Sequence, residues 1–155
     1  MVEWRSREKI DGILEETLAD PAVLQRTYPM GWYGKDRTGR PVRYDCFGRV
    51  DAEGLWGLLG GEGGRERGRE QAVRLAMQQG EEWTRLLAPK ASEENGHEVY
   101  DHTMVVDLKQ LSLKRFRKWD KAYMGNFAKV MSDYTPEVLY KCFLVNAPKT
   151  MSAAW

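Results

Sequence analysis

The sequence has little of what catalytic, metal-binding or exported proteins are usually built on. Only two of its 155 residues are cysteine and two are histidine. Cys46 and Cys142 have no partner at CxxC spacing, which leaves no dithiol motif and no closed zinc set. Each sits in an apolar or aromatic run, Tyr44-Asp45-Cys46-Phe47 and Tyr140-Lys141-Cys142-Phe143-Leu144. Such surroundings predict buried free thiols in a reducing cytosol rather than a disulfide. Charge of one sign is not in excess either: 24 basic residues face 23 acidic ones, a net charge of +1. That balance gives no general reason to expect nucleic acid. No stretch approaches the roughly 18 consecutive apolar residues of a membrane-spanning helix. The first residues, Met1-Val2-Glu3-Trp4-Arg5-Ser6-Arg7-Glu8-Lys9, are charged where a secretory signal has its apolar centre. A cytoplasmic protein is expected.

The composition is 42% hydrophobic and 11% aromatic, enough to build one apolar core at this length. Ile10, Ile13, Leu14 and Leu18 recur at helical spacing, and Asp20-Pro21 reads as the stop of a short N-terminal helix. A turn-rich stretch from Tyr28 to Arg40 then delivers the chain into a first strand, Pro41 to Phe47, where apolar and polar residues alternate.

The glycine run from Gly60 to Gly68 invites comparison with a phosphate cradle. Its spacing does not fit, because Glu66 stands where a GxGxxG fingerprint needs its third glycine, and no GxxxxGK[ST] is present. A flexible loop leading to a helix is the expectation. That helix runs from about Arg67 to Leu87, with Val73, Ala76, Met77, Gly80, Trp83 and Leu87 on one face. A polar loop, Pro89 to Gly96, precedes a strand from Tyr100 to Leu108.

Ser112 can cap a long helix in which Leu113, Phe116, Trp119, Tyr123, Phe127, Val130, Met131 and Tyr134 repeat at steps of three and four, ending before Pro136. Leu139 to Asn146 is a further strand, and another helix begins near Met151. A strand, a long helix and a strand imply a right-handed crossover with parallel pairing. The fold class is therefore α/β with a mostly parallel sheet.

Four segments in register carry a resemblance: Thr38-Gly39-Arg40-Pro41-Val42, Val105-Val106-Asp107-Leu108-Lys109, Tyr134-Thr135-Pro136-Glu137 and Leu144-Val145-Asn146-Ala147-Pro148. Their order and spacing are similar to those of the Sec14-like, or CRAL-TRIO, lipid-binding domain. Even Trp4-Arg5 through Ile13-Leu14-Glu15-Glu16 resembles the last helix before that domain, so the likeness covers nearly the whole chain. It implies a partial CRAL-TRIO domain: residues 1–27 as the last helix of a helical subdomain, and residues 28–155 as the N-terminal portion of the lipid-binding unit. In this family a sheet and helices enclose an apolar cavity for one lipid, covered by a helical gate. The strand, gate helix and headgroup lysine that the resemblance places beyond Trp155 have no counterpart, and a fragment is expected.

The resemblance implies binding, and intermembrane transfer, of a phosphatidylinositol-like phospholipid or another hydrophobic ligand, without catalysis and without a cofactor. Glu137 stands where phosphatidylinositol-binding members have a headgroup glutamate. It is equally readable as an acidic residue favouring a local helix start. Trp32 and Arg43 stand at two pocket tyrosines of phosphatidylcholine-binding members, and His102 and Met104 at a pocket serine and threonine. The phosphatidylcholine pattern is thus not reproduced.

His97, Asp101, His102, Asp107 and Cys142 match no metal or hydrolytic constellation. His102, on an otherwise apolar strand, reads as a core histidine with its hydrogen bonds satisfied. Lys114, Arg115, Arg117 and Lys118 alternate with Phe116 and Trp119. They form a solvated helix face or a patch for transient contact with an anionic membrane, each basic residue there gaining about 1 kcal/mol. The alternative function is a module that binds a protein or membrane surface through the helix at 112–134 and transfers nothing.

Overall fold

The computed structural model describes residues 2–111, 125, 128–130, 132–133 and 137–148. Helix α1, Val2–Arg7, is followed by a 3-10 turn, Ile10–Glu15, and helix α2, Pro21–Thr27. The expected single helix is broken at Lys9, whose φ of 53° lies in the left-handed region. Asp20-Pro21 begins a helix instead of ending one. The Asp20 carboxylate accepts from the Ala22 and Val23 amides, and proline at the first helical position loses no hydrogen bond there.

Strands β1, Met30–Lys35, and β2, Pro41–Asp45, form an antiparallel hairpin. β1 falls inside the stretch expected to be turns, because Gly31 and Gly34 interrupt its alternation. The hairpin loop is held by Asp36, whose carboxylate accepts from the Thr38 amide and hydroxyl, the Arg40 amide and, across the sheet, the Thr103 hydroxyl. Burial opposes ionisation of this carboxyl, yet these donors hold its pKa at about 2.

Helix α3, Ala52–Gly60, is capped by Asp51, which accepts from the Gly54 amide at 3.1 Å. It leads through a 3-10 turn at Gly61–Gly63 into α4, Gly64–Glu82. The glycine run is therefore a helix-to-helix corner. A Cβ on Gly68 would lie 2.1 Å from the Trp56 carbonyl oxygen, so glycine at 68 is what lets the two backbones approach so closely. Ala52, Leu55, Trp56, Leu59, Ala72 and Leu75 make the core between these helices, with Leu18, Ala19, Leu24 and Tyr28 packed on it.

The buried positions of α4 are Gly68, Ala72, Leu75 and Gln79, leading on to Trp83. The inner face is thus rotated from the expected one, because α4 packs along α3 and against the N-terminal turn Ile10–Glu15. A π-helical turn, Trp83–Leu87, runs straight into α5, Ala88–Asn95. The expected polar loop is a helix, with Pro89 at its second residue.

The N-terminal segment is fastened to α4 by charge. Arg5 donates to Glu81 at 2.7 Å, Arg74 binds Glu16, and Gln78 Nε2 donates to the carbonyls of Ile13 and Glu16, both at 2.8 Å.

Strands β3, His102–Asp107, and β4, Leu139–Val145, complete a four-stranded sheet of order β1-β2-β3-β4. β2, β3 and β4 run parallel, the arrangement expected from the crossover pattern. The expected helix at 112–134 and the one near Met151 lie largely outside the described residues. Both cysteines are free, but Cys46 is only half-buried and Cys142 is exposed, so the expectation of two buried thiols is corrected. Cys142 belongs to β4, the outermost strand among the described residues, whose burial pattern is exposed throughout.

Candidate functional site

Strand alternation sends residues two apart to the same face, and Cα-paired residues on neighbouring strands share it. The register pairs Trp32 with Arg43, Arg43 with Met104, and Met104 with Cys142. His102, two residues from Met104, lies on that face as well. All four pocket positions named from the sequence on the sheet, Trp32, Arg43, His102 and Met104, are therefore brought together on one side of the sheet.

A residue that sequence reasoning placed only on a helix face completes the group. The π-helical turn lays Trp83 over the strands, stacked on Trp32 with ring centroids 5.1 Å apart and planes 22° from parallel. His102 stands edge-on to Trp32 at 4.9 Å and tilted against Trp83 at 4.8 Å. One extra residue in a helical turn rotates the side chains around it, and it is this local widening that aims Trp83. No short motif in the sequence signals it.

Polar groups surround these rings. Arg43 donates from Nε to Asp45 Oδ1 at 3.1 Å and from Nη2 to Gln79 Oε1 at 3.0 Å, and its guanidinium lies 5.9 Å from the centre of the Trp32 ring. Asp45 and Gln79 are both buried. Three nitrogens in the group have no hydrogen-bond partner among the described residues: Trp32 Nε1, Trp83 Nε1 and His102 Nδ1. His102 is buried as expected, but its hydrogen bonds are not satisfied. Buried unpaired donors are costly, about 1–3 kcal/mol each, and their clustering marks a place where an acceptor is missing. Burial, reinforced by the nearby positive charge of Arg43, lowers the His102 pKa to about 4, so the imidazole is neutral at physiological pH. The face therefore offers two indole N–H groups and a neutral imidazole nitrogen, donor or acceptor according to tautomer, beside a compensated Arg43–Asp45 ion pair.

Glu137 is exposed just ahead of β4, next to Val138, whose carbonyl accepts the His102 amide at 2.9 Å. Its side chain is not part of the buried group. Lys114, Arg115, Arg117 and Lys118 lie outside the described residues. A separate open cleft, lined by Val73, Arg74, Met77, Glu70, Glu8, Lys129 and Val130, lies along α4. Among the described residues, no group of three or more His, Cys, Asp or Glu is placed to hold a metal ion, and no helix is long and apolar enough to cross a membrane.

Comparison with known proteins agrees with this architecture. The family model for the CRAL/TRIO domain matches residues 25–155. Protein real-time of Drosophila pseudoobscura pseudoobscura is 32% identical over 99% of this chain, which spans 22% of that protein. Phosphatidylinositol/phosphatidylcholine transfer protein SFH4 of Arabidopsis thaliana is 28% identical over 100% of this chain, which spans 24% of its length. The crystal structure of Sfh5 superposes with a TM-score of 0.62 at 20% identity, covering 97% of this chain and 49% of that one, a likeness of fold. The chain thus spans about a quarter or less of these two curated relatives, while the family model covers most of the chain itself. With its mostly parallel sheet and flanking helices, the chain belongs to the CRAL/TRIO domain family.

Proposed function

We propose that this chain binds a phospholipid or a similar hydrophobic ligand, and that the polar end of the ligand meets the Trp32–Arg43–His102–Met104 face. The observation that carries this is the trio of unpartnered nitrogens on Trp32, Trp83 and His102. A ligand carbonyl or hydroxyl oxygen is the acceptor the two indole N–H groups lack, and a hydroxyl also pairs with His102 Nδ1 in either tautomer. The apolar remainder of such a ligand gains about 0.8 kcal/mol for each methylene withdrawn from water. Two relatives named as phosphatidylinositol/phosphatidylcholine transfer proteins, SFH4 and SFH9 of Arabidopsis thaliana, support a phospholipid and its movement between membranes. In this reading Glu137 contacts a headgroup at the rim, and Lys114, Arg115, Arg117 and Lys118 draw the protein transiently to an anionic membrane. Binding and release of this kind use no catalytic residue.

The test is lipid extraction from the purified 155-residue chain, followed by transfer of labelled phospholipid between vesicles. A bound lipid near one per chain, reduced at least several-fold by Arg43→Ala and by His102→Ala, is the expected result. A protein that carries no lipid and moves none between vesicles refutes the proposal.

One observation favours the alternative module. Trp83 stacks on Trp32 and lies tilted against His102, so protein already fills this part of the face. In that case vesicle flotation survives Glu137→Ala and is lost when Lys114, Arg115, Arg117 and Lys118 are neutralised.

A further inference from the structure

The one cation on the site face is already neutralised from within the protein. Arg43 and Asp45 stand two residues apart on β2 and so share that face. Their side chains are only 15% and 5% exposed, and the guanidinium donates from Nε to Asp45 Oδ1 at 3.1 Å. Nη2 is taken up by Gln79 Oε1 at 3.0 Å and Met30 Sδ at 3.2 Å. The other charged group acting on His102 is its neighbour Asp101, and Asp101 is matched in turn by Arg40 at 2.6 Å. A phosphate entering here would meet a buried carboxylate and a cation that this carboxylate has already cancelled. Burying an anion without a cation of its own is strongly unfavourable.

The nitrogens left without partners ask for something else. The rings of Trp32, Trp83 and His102 lie between 4.8 and 5.1 Å apart, so their unpartnered nitrogens belong to one small group. Two of them are indole N–H donors. His102 Nδ1 is an acceptor when the imidazole proton is on Nε2. A hydroxyl has two lone pairs and one proton, the complement of two donors and one acceptor, and it carries no charge that needs cancelling. Trp32 and Met104 are half-buried where Trp83 and His102 are buried, so the group opens on their side.

We propose that the ligand group this face receives is an uncharged hydroxyl, as in a diacylglycerol, and that Asp45 sets the choice by cancelling the charge of Arg43. The inference rests on the reading of this face as the place of the ligand's polar end, and narrows that ligand to a lipid alcohol.

Titration of the full 155-residue chain with dioctanoylglycerol and with dioctanoyl phosphatidic acid, followed by tryptophan emission, tests it. The two lipids share their acyl chains and differ in carrying a hydroxyl or a phosphate. Dioctanoylglycerol should bind about tenfold or more tightly than the phosphatidic acid, with an affinity that salt does not change, because no new ion pair forms. Asp45→Asn leaves Arg43 uncancelled and should move the ratio of the two affinities towards the phosphatidic acid by about tenfold or more. Should that variant unfold by circular dichroism, the wild-type protein still decides by NMR. The indole N–H resonances of Trp32 and Trp83 should shift with dioctanoylglycerol and stay in place with the phosphatidic acid. Equal affinities, tighter binding of the phosphatidic acid, or an unmoved ratio in a folded Asp45→Asn protein overturns the inference and leaves lipid binding itself standing. A protein that binds neither these lipids nor a phospholipid overturns both.

Discussion

Acid should destabilise this protein through His102 well before its carboxylates protonate. In the folded state the imidazole is held at about pKa 4, against 6.5 when unfolded, by burial and by Arg43 beside it. Trp32, Trp83 and the Arg43–Asp45 pair surround it, and nothing in the group accepts a proton from Nδ1. The folded state therefore binds fewer protons than the unfolded one, and stability is fully present above pH 6.5 and is lost as pH falls towards 4. At 1.36 kcal/mol per unit of pKa difference, the loss is about 2 kcal/mol by pH 5 and about 3 kcal/mol by pH 4.

The perturbation is His102→Phe, which keeps an aromatic ring between the tryptophans and removes the titration. Urea unfolding of both proteins at pH 7 and pH 5 isolates the effect, because the Glu81, Glu16 and Asp36 carboxyls, all lowered by their hydrogen bonds, are common to both. Wild type should lose about 2 kcal/mol more than the variant over that interval. Parallel pH profiles, or an imidazole titrating near 6.5 by NMR in the folded protein, would refute the reasoning.

Three other outcomes rest on packing and hydrogen bonds. Gly68→Ala drives a methyl to 2.1 Å from the Trp56 carbonyl oxygen and should cost about 1–3 kcal/mol or more in chemical denaturation. Trp83→Ala empties the centre of the site face; a loss of about 3–5 kcal/mol is expected, with blue-shifted residual tryptophan emission as the check that the fold persists. Asp36→Ala strips the hairpin of the acceptor for Thr38, Arg40 and Thr103, and thermal unfolding should show a loss of about 2 kcal/mol, largely restored by Asn.

The sequence alone was enough for the class of fold, because a strand, a long helical repeat and a further strand in succession imply a right-handed parallel crossover. The resemblance named Trp32, Arg43, His102 and Met104, and it is the sheet register that brings these four onto one face. Where local signals compete, the sequence misled. Asp20-Pro21 serves a helix end or a helix start equally well, and the choice fell to the core that α2 joins. Gly31 and Gly34 hide β1, which exists because β2 offers it a hydrogen-bonding edge. The glycine run reads as flexible until Trp56 is found against Gly68.

Only the tertiary structure decided that Trp83 belongs to the site, through a π-helical turn with no sequence mark, and that His102 stays neutral with an unpaired nitrogen. Periodicity records which side of an element is apolar. It does not record which side chains from distant elements meet, and burial, pKa and unpaired donors are properties of that meeting.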